Sequence, residues 1–448
     1  MQQTLELIPS GHGGTGGCDA MRAEVVSVSQ DYESPASDAS LMARIAHPSN
    51  LKKAFQRVKR NKGAAGIDRM TVDDLFRYLQ EHGRQLRQCL LRGLWKPAPV
   101  RRVLIPKPDG GERKLGIPTA LDRMVQQAIQ QVLQAEWEPR FSSYSYGFRP
   151  QRSAHQAISQ AQSYIKDGYD WVVDIDLSKF FDRVNHDRLM AKLAEHIQDK
   201  DVLRLIHRFL KSGVMENGLA KPQTEGVAQG GPLSPVLSNI VLDELDKTLE
   251  KRGLRFVRYA DDCRVFVKSK KAGERVMASL VKLIEGKMKL KVNRTKSAVD
   301  RAWKRAFLGY SFTRDGRKTL AAKSCKRFKD KVRQLTRKGG RSLEQRLEGL
   351  NRYLQGWKNY FREIETCTEF EHFDCWIRRR LRSLLWYQWK RSPKRYKELR
   401  KQGISDKLTR QTVASGKGHW RMSRSPALHM ALPNSWFDGL GLIRLLAA

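Results

Sequence analysis

Two short stretches of this 448-residue chain place carboxylates where they could hold divalent cations. In Phe256-Val257-Arg258-Tyr259-Ala260-Asp261-Asp262-Cys263-Arg264-Val265-Phe266-Val267, two β-prone arms flank a tight turn. The stretch predicts a hairpin with adjacent aspartates at its tip. Adjacent carboxylates repel, and holding them together is costly unless a cation sits between them. Hard oxygen ligands at a turn suit Mg²⁺. The second stretch, Trp171-Val172-Val173-Asp174-Ile175-Asp176, reads as an apolar strand whose period of two puts Asp174 and Asp176 on one face. If that strand pairs beside the hairpin, Asp176 meets Asp261 and Asp262. Three carboxylates can then hold two Mg²⁺ ions about 4 Å apart, the spacing for in-line phosphoryl transfer. A lone Asp-Asp pair most often just solvates a turn. The strand-borne third carboxylate and the charge of the whole chain favour the metal site.

That charge is large. The chain carries 85 Lys+Arg against 47 Asp+Glu, a formal net charge of +38. No small acidic ligand needs so much positive charge, whereas a phosphate backbone does. Ten Trp, twelve Tyr and sixteen Phe supply a core, which excludes a disordered basic tail. Composition alone would also fit a ribosomal or chromatin protein that only binds. The six cysteines, Cys18, Cys89, Cys263, Cys325, Cys367 and Cys375, form no Cys-x-x-Cys pair, so neither a zinc site nor a disulfide framework is expected. No run of 18 apolar residues and no signal-peptide pattern is present, so the expectation is an intracellular protein with no membrane partner.

The elements that must position the acids can be placed coarsely. Residues 1–40 are Gly-rich and carry six acidic residues against one Arg, and read as a disordered leader in which Met21 could be the true start. Helical spacing begins at Leu41 and runs through Leu51, Phe55 and Val58; the Gly-rich stretch from Asn61 to Asp68 interrupts it, and Thr71 can cap the next helix. Val100 to Ile117 predicts two strands joined at Pro108-Asp109-Gly110-Gly111. A long helix is expected from Asp122 through Leu133. Between Ala321 and Arg400 there are 23 Lys+Arg against 9 Asp+Glu, with Leu343, Leu347, Leu350 and Leu354 at helical spacing: a basic helical bundle. From Ser405 the chain reads as loop-rich.

Several motifs together resemble the group II intron reverse transcriptase/maturase family. Tyr259-Ala260-Asp261-Asp262 is similar to the signature turn of reverse transcriptases. Asp176 with Phe180, Phe181 and Asp182 resembles the other acidic motif of the palm, and Gln229-Gly230-Gly231-Pro232-Leu233-Ser234-Pro235 the loop-to-helix motif between them. Ser145-Tyr146-Gly147-Phe148-Arg149-Pro150 and the Gly-rich segment at Asn61 extend the similarity to roughly residues 41–448.

The resemblance implies an α+β right-hand fold: fingers and palm over 41–313, an α-helical thumb (the maturase domain) over 314–404, and a small DNA-binding domain over 405–448. It implies two Mg²⁺ ions at Asp176, Asp261 and Asp262, with Leu177 contributing to metal and substrate binding. Lys107 and Arg113 of the finger hairpin would grip the triphosphate, Arg as a bidentate donor and Lys as a point charge. Phe181 would be the aromatic gate that collides with a ribose 2′-hydroxyl, and Phe180 its core neighbour. Gln229 would touch the incoming nucleotide. Ser234 and Pro235 also make a good helix start, Ser as N-cap and Pro at the first position. Lys296 in Val292-Asn293-Arg294-Thr295-Lys296-Ser297 is similar to a lysine that protonates pyrophosphate, although a lysine that merely neutralises phosphate would look the same. Phe307-Leu308-Gly309-Tyr310 resembles the turn that supports the primer, or its aromatics are core. Arg378-Arg379-Arg380 suits a cationic face for folded RNA, while Trp357, Tyr360 and Trp376 fit a core better than a stacking platform.

The implied activity is RNA-directed DNA synthesis. Group II intron RNA, a DNA target or primer and dNTPs are the partners, with help to intron splicing and copying of the intron during mobility. Cytoplasmic bacterial residence, with nucleoid association during integration, follows from the resemblance, and a monomer and a homodimer are equally compatible. The paired cysteines and histidines of the endonuclease found in many relatives are absent here, as in class C introns. Two other readings remain open at this point: a retron-like or host-defence reverse transcriptase, and a splicing cofactor that binds RNA without polymerising.

Overall fold

The computed structural model describes residues 40–106, 111–216, 219–221, 223–340, 342–366 and 368–446. The expected leader with Met21 and Cys18, the finger residue Lys107, the turn residues Pro108, Asp109 and Gly110, and Cys367 lie outside the described residues. The chain divides into two compact units, Met1–Ala157 with Val173–Val299, and Ile158–Val172 with Asp300–Ala448. The strands, in chain order, are β1 (Val100–Pro106), β2 (Glu112–Ile117), β3 (Trp171–Ile175), β4 (Val214–Glu216), β5 (Leu219–Lys221), β6 (Arg255–Tyr259), β7 (Asp262–Val267), β8 (Ala298–Arg301), β9 (Tyr310–Phe312) and β10 (Lys318–Leu320).

The first unit begins with helices Leu41–Ile45, Pro48–Asn61 and Val72–Leu91. The stretch read as one helical pattern from Leu41 to Val58 is broken at Ala46–His47, where Pro48 starts a new helix, and the third helix begins at the expected Thr71 cap. Thr71 forms a reciprocal cap: its hydroxyl accepts the Asp74 N–H, and the Asp74 carboxylate accepts the Thr71 N–H. The long helix runs Ala120–Trp137. Its first turn is fixed by the buried Asp122, which accepts the Trp95 indole N–H and the Ala98 amide, each at 3.0 Å, and the Thr119 hydroxyl at 2.8 Å. Met124, Val125, Ile129 and Leu133 of this helix pack with Leu75, Leu90, Leu205, Ile206, Leu237 and Ile240 into the main core.

Two four-stranded sheets flank that core. One has the order β2-β1-β4-β5, with β1 and β2 antiparallel through the pair Pro106↔Glu112, so the predicted finger hairpin forms. The other has the order β6-β7-β3-β8. The acidic strand β3 is therefore the direct neighbour of the hairpin arm that begins at Asp262. One expected start moves: helix Ser234–Lys251 has Leu233 as its N-cap, not Ser234. The Ser234 hydroxyl turns back to donate to the Ala228 carbonyl at 2.6 Å, tying down the preceding loop rather than the helix end.

In the second unit, β9 and β10 form a hairpin, followed by helices Ala322–Leu335, Leu343–Tyr360 and Thr368–Gln388. Trp357 is core: its ring lies 4.4 Å from Phe328, 4.7 Å from Phe361 and 5.3 Å from Phe370, centroid to centroid. Trp376 departs from that expectation. It is half-buried, with Arg333 and Arg380 over its ring at 5.8 and 5.3 Å. Arg378 does not join a cationic face; it is buried and paired with Asp438 at 2.6 Å and Asp374 at 3.5 Å. The segment after Ser405 is not loop-rich. It holds helices Asp406–Val413, His419–Met422, Pro426–Ala431 and Asn434–Gly439, each too short to show apolar periodicity and separated by the Gly and Pro residues that suggested loop. None of the described helices is long and apolar enough to cross a membrane.

Replacing Trp357 with Ala removes the centre of the aromatic cluster and should cost about 3–5 kcal/mol, the usual toll of emptying such a site. Urea unfolding followed by near-UV signal checks this; a loss under about 1 kcal/mol would mean that the neighbouring rings close the gap without it.

Candidate active site

The site is built on the β6–β7 hairpin. Tyr259 pairs with Asp262, leaving Ala260 and Asp261 as a two-residue turn. Ala260 sits at φ 56°. Two-residue hairpins demand positive φ, and a residue with a Cβ accepts it only at a cost of about 1–2 kcal/mol. A buried network holds the turn in place. Arg258 and Asp246 are both fully enclosed. The Arg258 guanidinium donates to Asp246 at 2.5–3.0 Å, to the Asn239 side-chain oxygen at 2.9 Å and to the Ala260 carbonyl at 2.9 Å. The Asn239 amide donates to the Gly147 carbonyl at 2.9 Å. Gly147 lies against the turn so closely that a Cβ there would collide with the Ala260 amide. The Ser145–Pro150 motif thus acts as a brace behind the aspartates: Tyr146 N–H donates to Arg258 C=O, and Arg258 N–H to Tyr144 C=O.

Asp176 stands just past the end of β3. Its N–H donates to the Ser297 hydroxyl at 3.0 Å, and its carbonyl accepts the Asn293 N–H at 2.8 Å. Leu177 bridges Val292 in antiparallel register, with the flanking Asp176 carbonyl and Ser178 amide making the hydrogen bonds. In that alternation the Leu177 carbonyl faces the other way. The same arrangement brings Lys296 Nζ to 3.9 Å from Asp176 Oδ2. Asp174 is engaged by Arg264, Oδ2 to the guanidinium at 3.2 Å.

The electrostatics bind the three aspartates into one group. Burial pushes the Asp261 carboxyl up, as does the charge of Asp176, while Arg113 and Arg258 pull it down. Asp262 keeps one face open to solvent, but protein crowds the other; that loss of water, with the charges of Asp261, Asp174 and Asp176, pushes it up to about 6. Crowding of the carboxyl, rather than the residue's exposed area, sets its proton affinity. The three are close enough to repel one another, yet among the described residues no three acidic, His or Cys side chains stand at metal-holding separations. The donors fit divalent cations in kind: hard oxygens, mutually repelled and partly desolvated.

Arg113, exposed on β2, is thus near enough to act on Asp261. Phe180 is buried, as expected of a core residue, and the half-buried Phe181 meets it edge-on at 5.2 Å. The Gln229 carbonyl accepts the Gly116 N–H at 2.7 Å, which fastens its loop to β2. Phe307 and Tyr310 of the second unit are core; Tyr310 donates its hydroxyl to the Tyr360 carbonyl at 2.5 Å. Sequence reasoning missed Arg258, Asp246, Asn239, Asn293 and Ser297. An arginine directly after Phe256–Val257 in an apolar strand was a usable signal, since a charge in a buried strand requires a partner.

Comparison with known proteins places these motifs. Residues 105–312 match the family described as reverse transcriptase (RNA-dependent DNA polymerase), and residues 325–403 match the group II intron, maturase-specific domain. The chain is 34% identical over 299 residues to Protein YkfC of Escherichia coli, covering 58% of this chain and 78% of that one. It is 35% identical over 244 residues to the group II intron-encoded protein LtrA of Lactococcus lactis subsp. cremoris, covering 53% of this chain and 40% of LtrA. A putative COX1/OXI3 intron 2 protein of Saccharomyces cerevisiae is 35% identical over 203 residues, 44% of this chain and 23% of that protein. The chain thus aligns with less than half the length of the latter two.

The raised Asp262 gives a signed expectation. A carboxyl whose folded pKa lies near 6 and unfolded pKa near 3.8 opposes folding once ionised. This cost is absent below pH 3.8, grows as the pH rises to about 6, and stays at its full value above. Asp262→Asn should therefore raise the unfolding midpoint in metal-free buffer at pH 7 and lose that advantage near pH 3.5. An equal or lower midpoint at pH 7 would show that the carboxylate is not held under repulsion.

Proposed function

Since the chain belongs to the reverse transcriptase family and carries a group II intron maturase-specific domain, we propose that it copies RNA into DNA at the Asp176–Asp261–Asp262 cluster, with two Mg²⁺ ions as metals and dNTPs as substrates. The observation that carries the reading is a strand-end carboxylate, Asp176, close enough to the two turn carboxylates for its charge to raise the proton affinity of both Asp261 and Asp262. Divalent ions held there would activate a primer 3′-hydroxyl and neutralise the leaving pyrophosphate.

The protein's own groups do the rest. Asp176, Asp261 and Asp262 supply the anionic ligands, and the Leu177 carbonyl, turned away from its bridge, supplies a neutral one. Arg113 grips the triphosphate from the finger hairpin, and Lys107 shares that role. The Phe181 ring closes the space a ribose 2′-hydroxyl would need. Gln229 contacts the incoming nucleotide from a loop fastened to β2. Lys296, with its ammonium near Asp176 and open to solvent, donates a proton to the departing pyrophosphate.

The remaining assignments follow from the same family. Fingers and palm span 41–313, the thumb 314–404 and a DNA-binding region 405–448. The basic helices after Ala321 grip group II intron RNA through its phosphates and shape, which assists splicing. The polymerase then copies the intron from a DNA primer at its target during mobility. Such a protein works in the bacterial cytoplasm and at the nucleoid during integration.

Primer extension on an RNA template with purified protein and Mg²⁺ tests the core of this. Activity is expected, and Asp261→Ala with Asp262→Ala should abolish dNTP incorporation while RNA binding and splicing support persist. Extension that survives the double change sinks the site. Lys296→Ala should slow single-turnover incorporation by about 10²-fold, the scale of one general acid, at unchanged template affinity. Weaker template binding with normal chemistry would reduce Lys296 to a phosphate-neutralising charge.

A further inference from the structure

His186 is buried, 3% exposed, at the start of helix His186–Ala194 and takes no part in the chemistry above. Its Nε2 lies 2.6 Å from the Gly226 carbonyl. A carbonyl only accepts, so Nε2 carries the hydrogen and donates it. Nδ1 is buried without a hydrogen-bond partner, which suits a bare ring nitrogen far better than a second N–H.

The carbonyl it grips belongs to a segment that cradles the Phe181 turn. Gly226 N–H donates to the Val184 carbonyl at 2.7 Å, and Val227 N–H to the Phe181 carbonyl at 2.6 Å. Asn185 and Glu225 form an isolated antiparallel bridge beside these bonds. Gly226 stands at φ 89°, and a Cβ on it would come within 2.9 Å of the Phe181 and Asp182 carbonyl oxygens. Three residues beyond Gly226 along the chain lies Gln229. One imidazole therefore fastens the backbone on which the sugar-facing ring and the nucleotide-facing glutamine both hang.

We propose that His186 is a positioning residue for sugar selection: its Nε2–H bond to Gly226 fixes the Glu225–Val227 segment, and through it the place of the Phe181 ring against the incoming ribose. This rests on Phe181 being the gate. A ring that discriminates by collision must not yield, and a shift of a few tenths of an ångström in its backbone opens room for a hydroxyl. The constraint falls on ribonucleotide rejection, whereas a deoxynucleotide makes no demand on that space.

The test compares His186→Phe, which fills the volume without a donor, with His186→Gln, whose amide N–H can reach the same carbonyl. Gly226→Ala crowds the cradle from the other side. The readout is kcat/KM for a ribonucleotide against the matching deoxynucleotide on one primer–template. His186→Phe and Gly226→Ala should each raise relative ribonucleotide use about tenfold, with kcat for the deoxynucleotide kept within about threefold and His186→Gln close to wild type. Phe181→Ala is run alongside. If it leaves sugar selection unchanged, the gate itself fails and this inference with it. If it relaxes selection while folded His186→Phe and Gly226→Ala do not, His186 is only a structural residue and the proposal alone is overturned. Should His186→Phe fail to fold, the Gly226→Ala and His186→Gln pair decides on the same readout.

Discussion

Like charges crowded at a hairpin tip will separate unless something rigid beneath them prevents it. In this protein the restraint is the Arg258–Asp246 ion pair, closed off from water and extended to Asn239, Ala260 and Gly147. Taking two charges out of water is expensive, and the pair is not an efficient source of net stability compared with apolar side chains. Its value is directional. A leucine in place of Arg258 could fill the space, but it could not donate to the Ala260 carbonyl and so define where Asp261 points. Removing either partner would strand a buried charge, at a cost of roughly 3–5 kcal/mol.

The same logic governs the basic surplus. A net charge of +38 suggests a surface covered in free cations, yet many of the arginines in the second unit are committed internally. Arg378 is neutralised by Asp374 and Asp438, Arg382 donates to the Leu432 carbonyl and the Asn434 side chain, and Arg346 binds the Arg337 and Gly339 carbonyls. Arg379 lies 3.9 Å over the Trp420 ring. Arg378, Arg379 and Arg382 fasten the short helices that follow Ser405, and Arg346 fastens the connection between two longer ones. What remains for a polyanion is the periphery of the helices, so three consecutive arginines do not make three phosphate contacts.

This explains what could and could not be read in advance. The β6–β7 hairpin, the β3 strand, the finger hairpin, the helices that follow Leu41, Thr71 and Asp122, and the one through Leu343–Leu354 follow from period, turn residues and caps, which are local properties. The neighbourhood of Asp176 and the Asp261–Asp262 turn was legible only as a condition, because strand order is a long-range fact; β3 beside β7 meets it. The four helices after Ser405 were hidden, since four to eight residues cannot display a 3.6-residue period. Bonds such as Ser297 to the Asp176 amide, or Asn239 to Gly147, join residues 121 and 92 positions apart and leave no local trace.

Strain and repulsion are concentrated where chemistry is expected. Ala260 in the left-handed region, Asp262 holding its proton to about 6, and a glycine pressed against the turn all disfavour this conformation locally. They persist because the core from Met42 to Val292 and the buried pair under the turn make every alternative worse. A divalent cation at the three carboxylates would relieve the repulsion and leave the backbone strain untouched. The two contributions are thus separable: the ion answers for the charges, and the scaffold alone answers for the geometry that aims them.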